Sequence, residues 1–145
     1  MLVRGVSVSV QMEIICVGNE LLIGKTLNTN AQWLAKRATS LGIVVRRITV
    51  VGDDVDEIAS VVREALERNP RFIITTGGLG PTFDDKTLEG IAKAINRKLE
   101  LNEKALEMVK KKYEEYAKAG KIGTLEMTPH RIKMARLPEG AEPLP

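Results

Sequence analysis

The sequence predicts an α/β fold with a parallel sheet and helices on both of its faces. Three observations lead there. Short apolar runs that end in loop residues recur at Met12–Gly18, Ile43–Val51 and Arg71–Thr76. Stretches with apolar residues at helical spacing lie between and after them. Gly, Asn and Asp punctuate the junctions. Strands that alternate with helices pair in parallel through crossovers, and right-handed crossovers place helices on both faces of the sheet. The 145 residues suit one domain, with no internal repeat, low-complexity tract or linker.

Met12-Glu13-Ile14-Ile15-Cys16-Val17-Gly18 is mostly apolar, the pattern of a strand buried on both faces. From Thr29, the residues Ala31, Leu34, Ala35, Ala38 and Leu41 mark one face of a helix. Asn28 or Thr29 caps its start, and Gly42 follows its end. Ile43–Val45 and Ile48–Val51 supply a second strand region. Asp54 followed by Glu57 resembles a capping box, opening a helix with Ile58, Val61, Val62, Ala65 and Leu66 inward. Arg71–Thr76 is a third strand, and Gly77–Thr82 a turn. Asp84 or Asp85 is expected to cap the next helix, which carries Leu88, Ile91, Ala92 and Ile95 on one face. A longer helix after Asn102 aligns Leu106, Val109, Tyr113 and Tyr116. Thr128-Pro129 starts a short helix, because proline is tolerated at the first helical position. Leu137–Pro145, with three prolines, is expected to be extended.

Composition narrows the function classes. The 22 Lys+Arg against 19 Asp+Glu leave a net charge of only +3. Lys110–Lys112 sits among Glu107, Glu114 and Glu115, which is the pattern of a solvated helix face. Aromatic residues are 3%, too few for a base-stacking platform, so a nucleic-acid partner is not expected. No apolar run reaches the roughly 18 residues of a membrane span, and the first residues lack the pattern of a signal peptide. Cys16, the single cysteine, excludes an internal disulfide and fits a reducing cytoplasm. His130, the single histidine, rules out a His-rich zinc site.

Ligands of such sheets bind beyond the carboxyl ends of the strands. Three segments meet that edge: Gly18-Asn19-Glu20, Val51–Asp54 and Gly77–Asp85. "GNELLIGKT", Gly18–Thr26, ends like a Walker A loop, but Gly18 lies one residue too far upstream and Leu21-Leu22-Ile23 fill the middle. It reads as a strand-to-loop junction with Leu21 and Leu22 packed inward, or as a loop whose Glu20, with Asn28 and Asn30, faces the ligand edge. "TTGGLGPTFDD", Thr75–Asp85, is the stronger candidate. Gly77, Gly78 and Gly80 permit a tight turn and close approach of a ligand, and the following helix offers unpaired N–H groups to an anion. A glycine turn with Asp84 as a cap would explain much of the same pattern. Asp53, Asp54, Asp84 and Asp85 are oxygen ligands of the kind that suit Mg²⁺ shared with substrate phosphates. Against that, two of the four can be helix caps, Asp54 and one of the later pair. Cys16 in mid-strand reads as core, and His130 as a surface helix residue.

Together, "TTGGLGPTFDDKT", "GNELLIGKTLNTNA" upstream and "VGDD" between them resemble the molybdopterin-binding-like domain. The match looks best to the amino-terminal domain of the CinA (competence/damage-inducible) proteins, from about Met12 to the end of the chain. The resemblance implies a three-layer α/β/α sandwich with a mostly parallel sheet. Molybdenum-cofactor relatives bind molybdopterin here and activate it with MgATP, and their essential aspartates match Asp53 and Asp85. CinA-type domains are associated with metal-dependent hydrolysis of ADP-ribose pyrophosphate. By resemblance, then, Asp53 and Asp85 are catalytic, and Asp53, Asp84 and Asp85 hold a divalent ion (Mg²⁺, Mn²⁺ or Co²⁺). Gly77, Gly78, Gly80, Thr82 and Thr87 would hold phosphate, with Glu20, Asn28 and Asn30 near the ligand. The alternatives are a pterin-binding or adenylylating protein, and a non-catalytic oligomerisation module. Asp84, where the cofactor branch commonly has arginine, counts against the pterin reading.

The resemblance also sets boundaries. Residues 1–11 precede the usual family start, which makes Met12 an alternative initiator, and residues 12–145 form the CinA-type domain. Relatives continue beyond Pro145 with a ligand loop and more sheet, so truncation is expected, and without the amidohydrolase domain nicotinamide-nucleotide deamidation is not. A sheet edge left open invites a second chain, so a homo-oligomer is expected, with a nucleotide or pterin as ligand and no membrane partner.

Overall fold

An apolar run such as Met12–Val17 needs cover on both faces, and the chain supplies it with two different helices. The computed structural model describes residues 9–144. Most of the expected N-terminal extension, residues 1–11, therefore lies outside the described residues, as does Pro145. β1 (Gln11–Val17) is the middle of a parallel sheet, flanked by β2 (Val44–Val51) and β3 (Phe72–Thr76) in the order β2-β1-β3. Its side chains alternate between faces, as strand geometry dictates. Met12, Ile14 and Cys16 pack against Ala31 and Ala38 of α2 (Thr29–Ser40). Ile15 and Val17 pack on Ile58, Val62 and Ala65 of α3 (Val55–Glu67). Helix, sheet and helix form the expected three layers.

Glu13 is the exception in this run. It is only 3% exposed, and it is tolerated there because Arg68, just past α3, meets it with two N–H···O bonds of 2.8 Å each. A buried carboxylate without such a partner would be strongly disfavoured. Pairing of Val17 with Val51 and of Cys16 with Thr76 brings the three strand ends level at one edge.

Several caps stand where the sequence places them. The Asn28 side chain accepts from Ala31 N–H at 3.2 Å, and Asp54 accepts from the N–H groups of Asp56 and Glu57 at 2.8 and 3.0 Å. The residues after the glycine turn differ. α4 (Thr87–Ala94) begins after Lys86 with no side-chain cap, so neither Asp84 nor Asp85 caps it. The Asp85 carboxylate is instead drawn back onto Thr82. Three further elements escape the sequence reading. α1 (Asn19–Leu22) follows β1 directly. β4 (Leu99–Leu101) pairs antiparallel with β5 (Arg136–Pro138), each too short for a periodic signal.

α5 (Glu103–Lys118) and α6 (Pro129–Lys133) complete the chain. α5 buries only Ala105; Tyr113 and Tyr116 meet edge to face with ring centroids 6.2 Å apart, and the Arg131 guanidinium lies 4.1 Å from the Tyr113 ring. No helix among the described residues is long and apolar enough to cross a membrane.

Candidate active site at the strand ends

The loops that leave β1 and β2 are clasped together. Asn19 N–H donates to Asp53 Oδ2 at 2.9 Å, and Asp53 N–H donates to Asn19 Oδ1 at 3.2 Å. Asp53 is thus fixed beside the end of the central strand, with its second carboxylate oxygen uncommitted among these bonds. The "GNELLIGKT" stretch forms no phosphate cradle. The N–H groups of Lys25 and Thr26 both turn back to the Glu20 carbonyl, at 3.0 and 3.2 Å. Leu21 packs inward as expected, but Leu22 does not: it is 56% exposed, because α1 is a single turn and shows only one side to the core.

The glycine turn after β3 is built by its own packing. Gly77 and Gly78 have φ of +87° and +59°, which side-chain-bearing residues rarely adopt. A Cβ on Gly77 would stand 2.0 Å from the Val17 carbonyl oxygen, and one on Gly78 would stand 2.4 Å from Thr87 Oγ1. Gly80 makes room for the Asp85 carboxylate, whose Oδ2 would be 2.7 Å from a Cβ there. Among the described residues, the N–H groups of Gly77 and Gly78 donate to no protein acceptor, which leaves them available to an anion.

Two side chains lock this turn. Thr87 is fully buried; its hydroxyl donates to the Gly77 carbonyl at 2.7 Å, and its N–H to the Gly78 carbonyl at 3.1 Å. The expectation that Thr87 offers its hydroxyl to phosphate therefore changes: that hydroxyl is spent on shaping the loop. Lys133 of α6 donates to the carbonyls of Thr82 and Asp85 at 2.7 and 2.5 Å. Sequence reasoning missed Lys133. It is about fifty positions from its partners, and nothing in its short helix marks it.

Asp85 accepts from Thr82 N–H at 2.8 Å and from the Thr82 hydroxyl at 2.5 Å. Burial pushes its carboxyl up, but the Thr82 hydroxyl, the N–H groups of Gly80 and Thr82, and the Lys133 ammonium outweigh that and hold it below the ordinary aspartate range. It is an anion at neutral pH, suited to holding a cation and unsuited to donating a proton. Asp84 is exposed, and its side chain makes no hydrogen bond among the described residues. Asn28 is spent as the α2 cap, Asn30 reaches Thr76 Oγ1 at 3.5 Å, and Glu20 is exposed at the rim.

The expected metal set Asp53, Asp84 and Asp85 does not form a ready-made cluster: no three His, Cys, Asp or Glu side chains among the described residues converge to hold an ion. The donor set still fits a hard divalent cation of the Mg²⁺ kind, which takes one or two carboxylates and completes its shell with water and substrate phosphate. Asp53 and Asp85 lie on the loops that follow β2 and β3, the two strands that flank β1. On the α6 side of the turn lies a cavity of about 490 Å³ that includes Gly78, Gly80 and Asp85 in its wall but not Asp53, Glu20, Asn28 or Asn30.

Comparison with known proteins places this geometry. Residues 13–138 match the family described as a probable molybdopterin binding domain. Curated proteins of Sulfurisphaera tokodaii and Sulfolobus acidocaldarius are 55% and 54% identical over 132 residues, covering 91% of this chain but 48% and 47% of those proteins. The chain thus spans about half the length of the curated relatives it matches. The crystal structure of the protein CinA from Thermoplasma acidophilum, described as of unknown function, superposes with a TM-score of 0.80 at 44% identity, covering 94% of this chain and 75% of that one. The tungsten cofactor synthesizing protein MoaB from Pyrococcus furiosus superposes with a TM-score of 0.57 at 25% identity, covering 77% and 67%. The chain belongs to the family described as a probable molybdopterin binding domain and is CinA-like.

Proposed function

We propose that the chain carries a metal-dependent pyrophosphohydrolase site for ADP-ribose-like nucleotide diphosphates. The observation that carries this reading is the pair of carboxylates, Asp53 tied to Asn19 after the central strand and Asp85 held in the same loop as the free N–H groups of Gly77 and Gly78. The N–H groups of Gly77 and Gly78 would take phosphate oxygens. Thr82, on the exposed side of the turn, orients Asp85 rather than the ligand. Asp53 and Asp85 would hold one or two divalent ions, which would supply charge neutralisation on the pyrophosphate and a more acidic bound water. Lys133 and Thr87 keep the turn in the shape that presents those donors.

The test is release of AMP and ribose 5-phosphate from ADP-ribose by the purified protein with Mg²⁺, Mn²⁺ or Co²⁺. No release with any of the three ions sinks the proposal. The likeness to a cofactor-synthesizing MoaB favours a second reading, pterin binding with or without adenylylation. Saturable molybdopterin binding, strengthened by ATP, would support that reading instead. A homo-oligomer belongs to the same proposal, because Ile23, Leu27 and Trp33 are 75%, 83% and 65% exposed in one stretch of chain.

A further inference from the structure

The cavity behind the glycine turn has a chemistry of its own. Its inner wall is apolar, formed by half-buried Leu88, Leu99 and Met134. Its rim carries Leu79 and Phe83, which are 45% and 80% exposed. A phenylalanine left in water beside an apolar cavity offers a face for stacking a flat ring. Lys86 and Arg136 also border it, and the Lys86 ammonium lies 5.3 Å from the Phe83 ring centroid. Among the described residues neither Lys86 nor Arg136 makes an ion pair.

His130, Lys133, Asp85 and Glu89 also line the cavity. Lys133 is committed to two carbonyls, and Asp85 is held by Thr82. Glu89 is exposed at the mouth. The cavity is thus an apolar slot with an aromatic rim and two cations that make no ion pair among the described residues. About 490 Å³ falls in the range that encloses one small-molecule ligand.

We propose that this cavity seats a nucleoside monophosphate unit, its base against Phe83 and Leu79 and its phosphoryl group toward Lys86 and Arg136. The inference rests on the pyrophosphohydrolase reading and says which half of the substrate goes where. Gly78, Gly80 and Asp85 belong both to the turn and to the cavity wall, so a pyrophosphate on the turn can lead the base-bearing half in on the α6 side.

Calorimetric titration of the whole chain with AMP, adenosine and ribose 5-phosphate tests it. AMP should bind at least about tenfold more tightly than either fragment, since each fragment lacks either the stacked base or the charge-assisted hydrogen bonds. Phe83→Ala should weaken AMP and adenosine by roughly tenfold, the usual scale for loss of one base-stacking ring. Lys86→Gln and Arg136→Gln should weaken AMP and ribose 5-phosphate but leave adenosine unchanged. Ribose 5-phosphate binding as tightly as AMP, or AMP binding indifferent to Phe83→Ala, overturns the assignment. The two proposals fail separately. AMP binding with this variant pattern but no hydrolysis of ADP-ribose removes the hydrolase and leaves the cavity. Hydrolysis with AMP binding indifferent to all three variants does the reverse.

Discussion

Thr87→Val separates the hydroxyl of Thr87 from its shape. The side chain is fully buried, and its Oγ1 lies 2.7 Å from the Gly77 carbonyl oxygen. Valine keeps the branching but puts a methyl where the hydroxyl was. Carbon and oxygen do not approach closer than about 3.3 Å, so the turn must move by roughly 0.6 Å or the side chain must rotate. The variant loses one hydrogen bond and leaves a carbonyl short of a partner, a cost of about 1–3 kcal/mol. For a domain of this size each kcal/mol lowers Tm by roughly 2–4 °C, so the expected drop is about 2–12 °C. Thr87→Ser keeps the donor and should cost less, on the order of one lost methyl group, about 1 kcal/mol. Thermal unfolding measures both, and hydrogen exchange over Gly78–Asp85 should speed up in the valine variant alone. A Thr87→Val protein that melts within about 1 °C of the parent, or a serine variant worse than the valine one, would refute the claim that this hydroxyl fixes the turn.

Gly77→Ala should be more damaging. It combines a left-handed φ with a Cβ 2.0 Å from the Val17 carbonyl, and urea unfolding should show a loss of at least about 2–3 kcal/mol; a near-neutral result would mean the turn is not built as described. Glu13 gives a pH-dependent prediction. Its hydrogen bonds from Arg68 hold its carboxyl below the ordinary value of 4.5 despite burial. The stability it contributes is therefore complete above that value and lost as pH falls through the lower folded-state pKa. Glu13→Gln should cost about 1–3 kcal/mol at pH 7 and flatten the acid side of the stability curve, whereas parallel curves for the two proteins would count against the pair. Light scattering should give a mass above the 16.0 kDa of one chain, and a monomer mass independent of concentration would remove the oligomer proposal.

The layers of the fold were legible because local patterns and long-range packing agree there. Met12–Val17 could only be a covered strand, and Ile58, Val62 and Ala65 recur at helical spacing on the face that meets it. Asn28 and Asp54 announce their helices because a cap acts within three residues of itself. The glycine turn was legible as a turn. Its internal wiring was not. Asp85 could have capped α4 or folded back onto Thr82, and the choice is made by Lys133, from a distant part of the chain, gripping the carbonyls of both. Glu13 was hidden for a similar reason: Arg68, its partner, lies across a whole βαβ unit. Leu22 was misplaced because the one-turn helix α1 has no periodicity to read.

The central claim is that Asp53 and Asp85 serve a metal-dependent site while Asp54 serves a helix. The most direct measurement is AMP release from ADP-ribose by the parent chain and by Asp53→Asn, Asp85→Asn and Asp54→Asn, each first shown to be folded by its thermal transition. Amide oxygen is a neutral, weaker ligand for a hard cation, so the first two should lose at least about a hundredfold in rate with the divalent ion present. Asparagine caps a helix nearly as well as aspartate, so Asp54→Asn should stay within about twofold. Loss confined to Asp53→Asn and Asp85→Asn is the predicted result, and equal activity in all four proteins would contradict it.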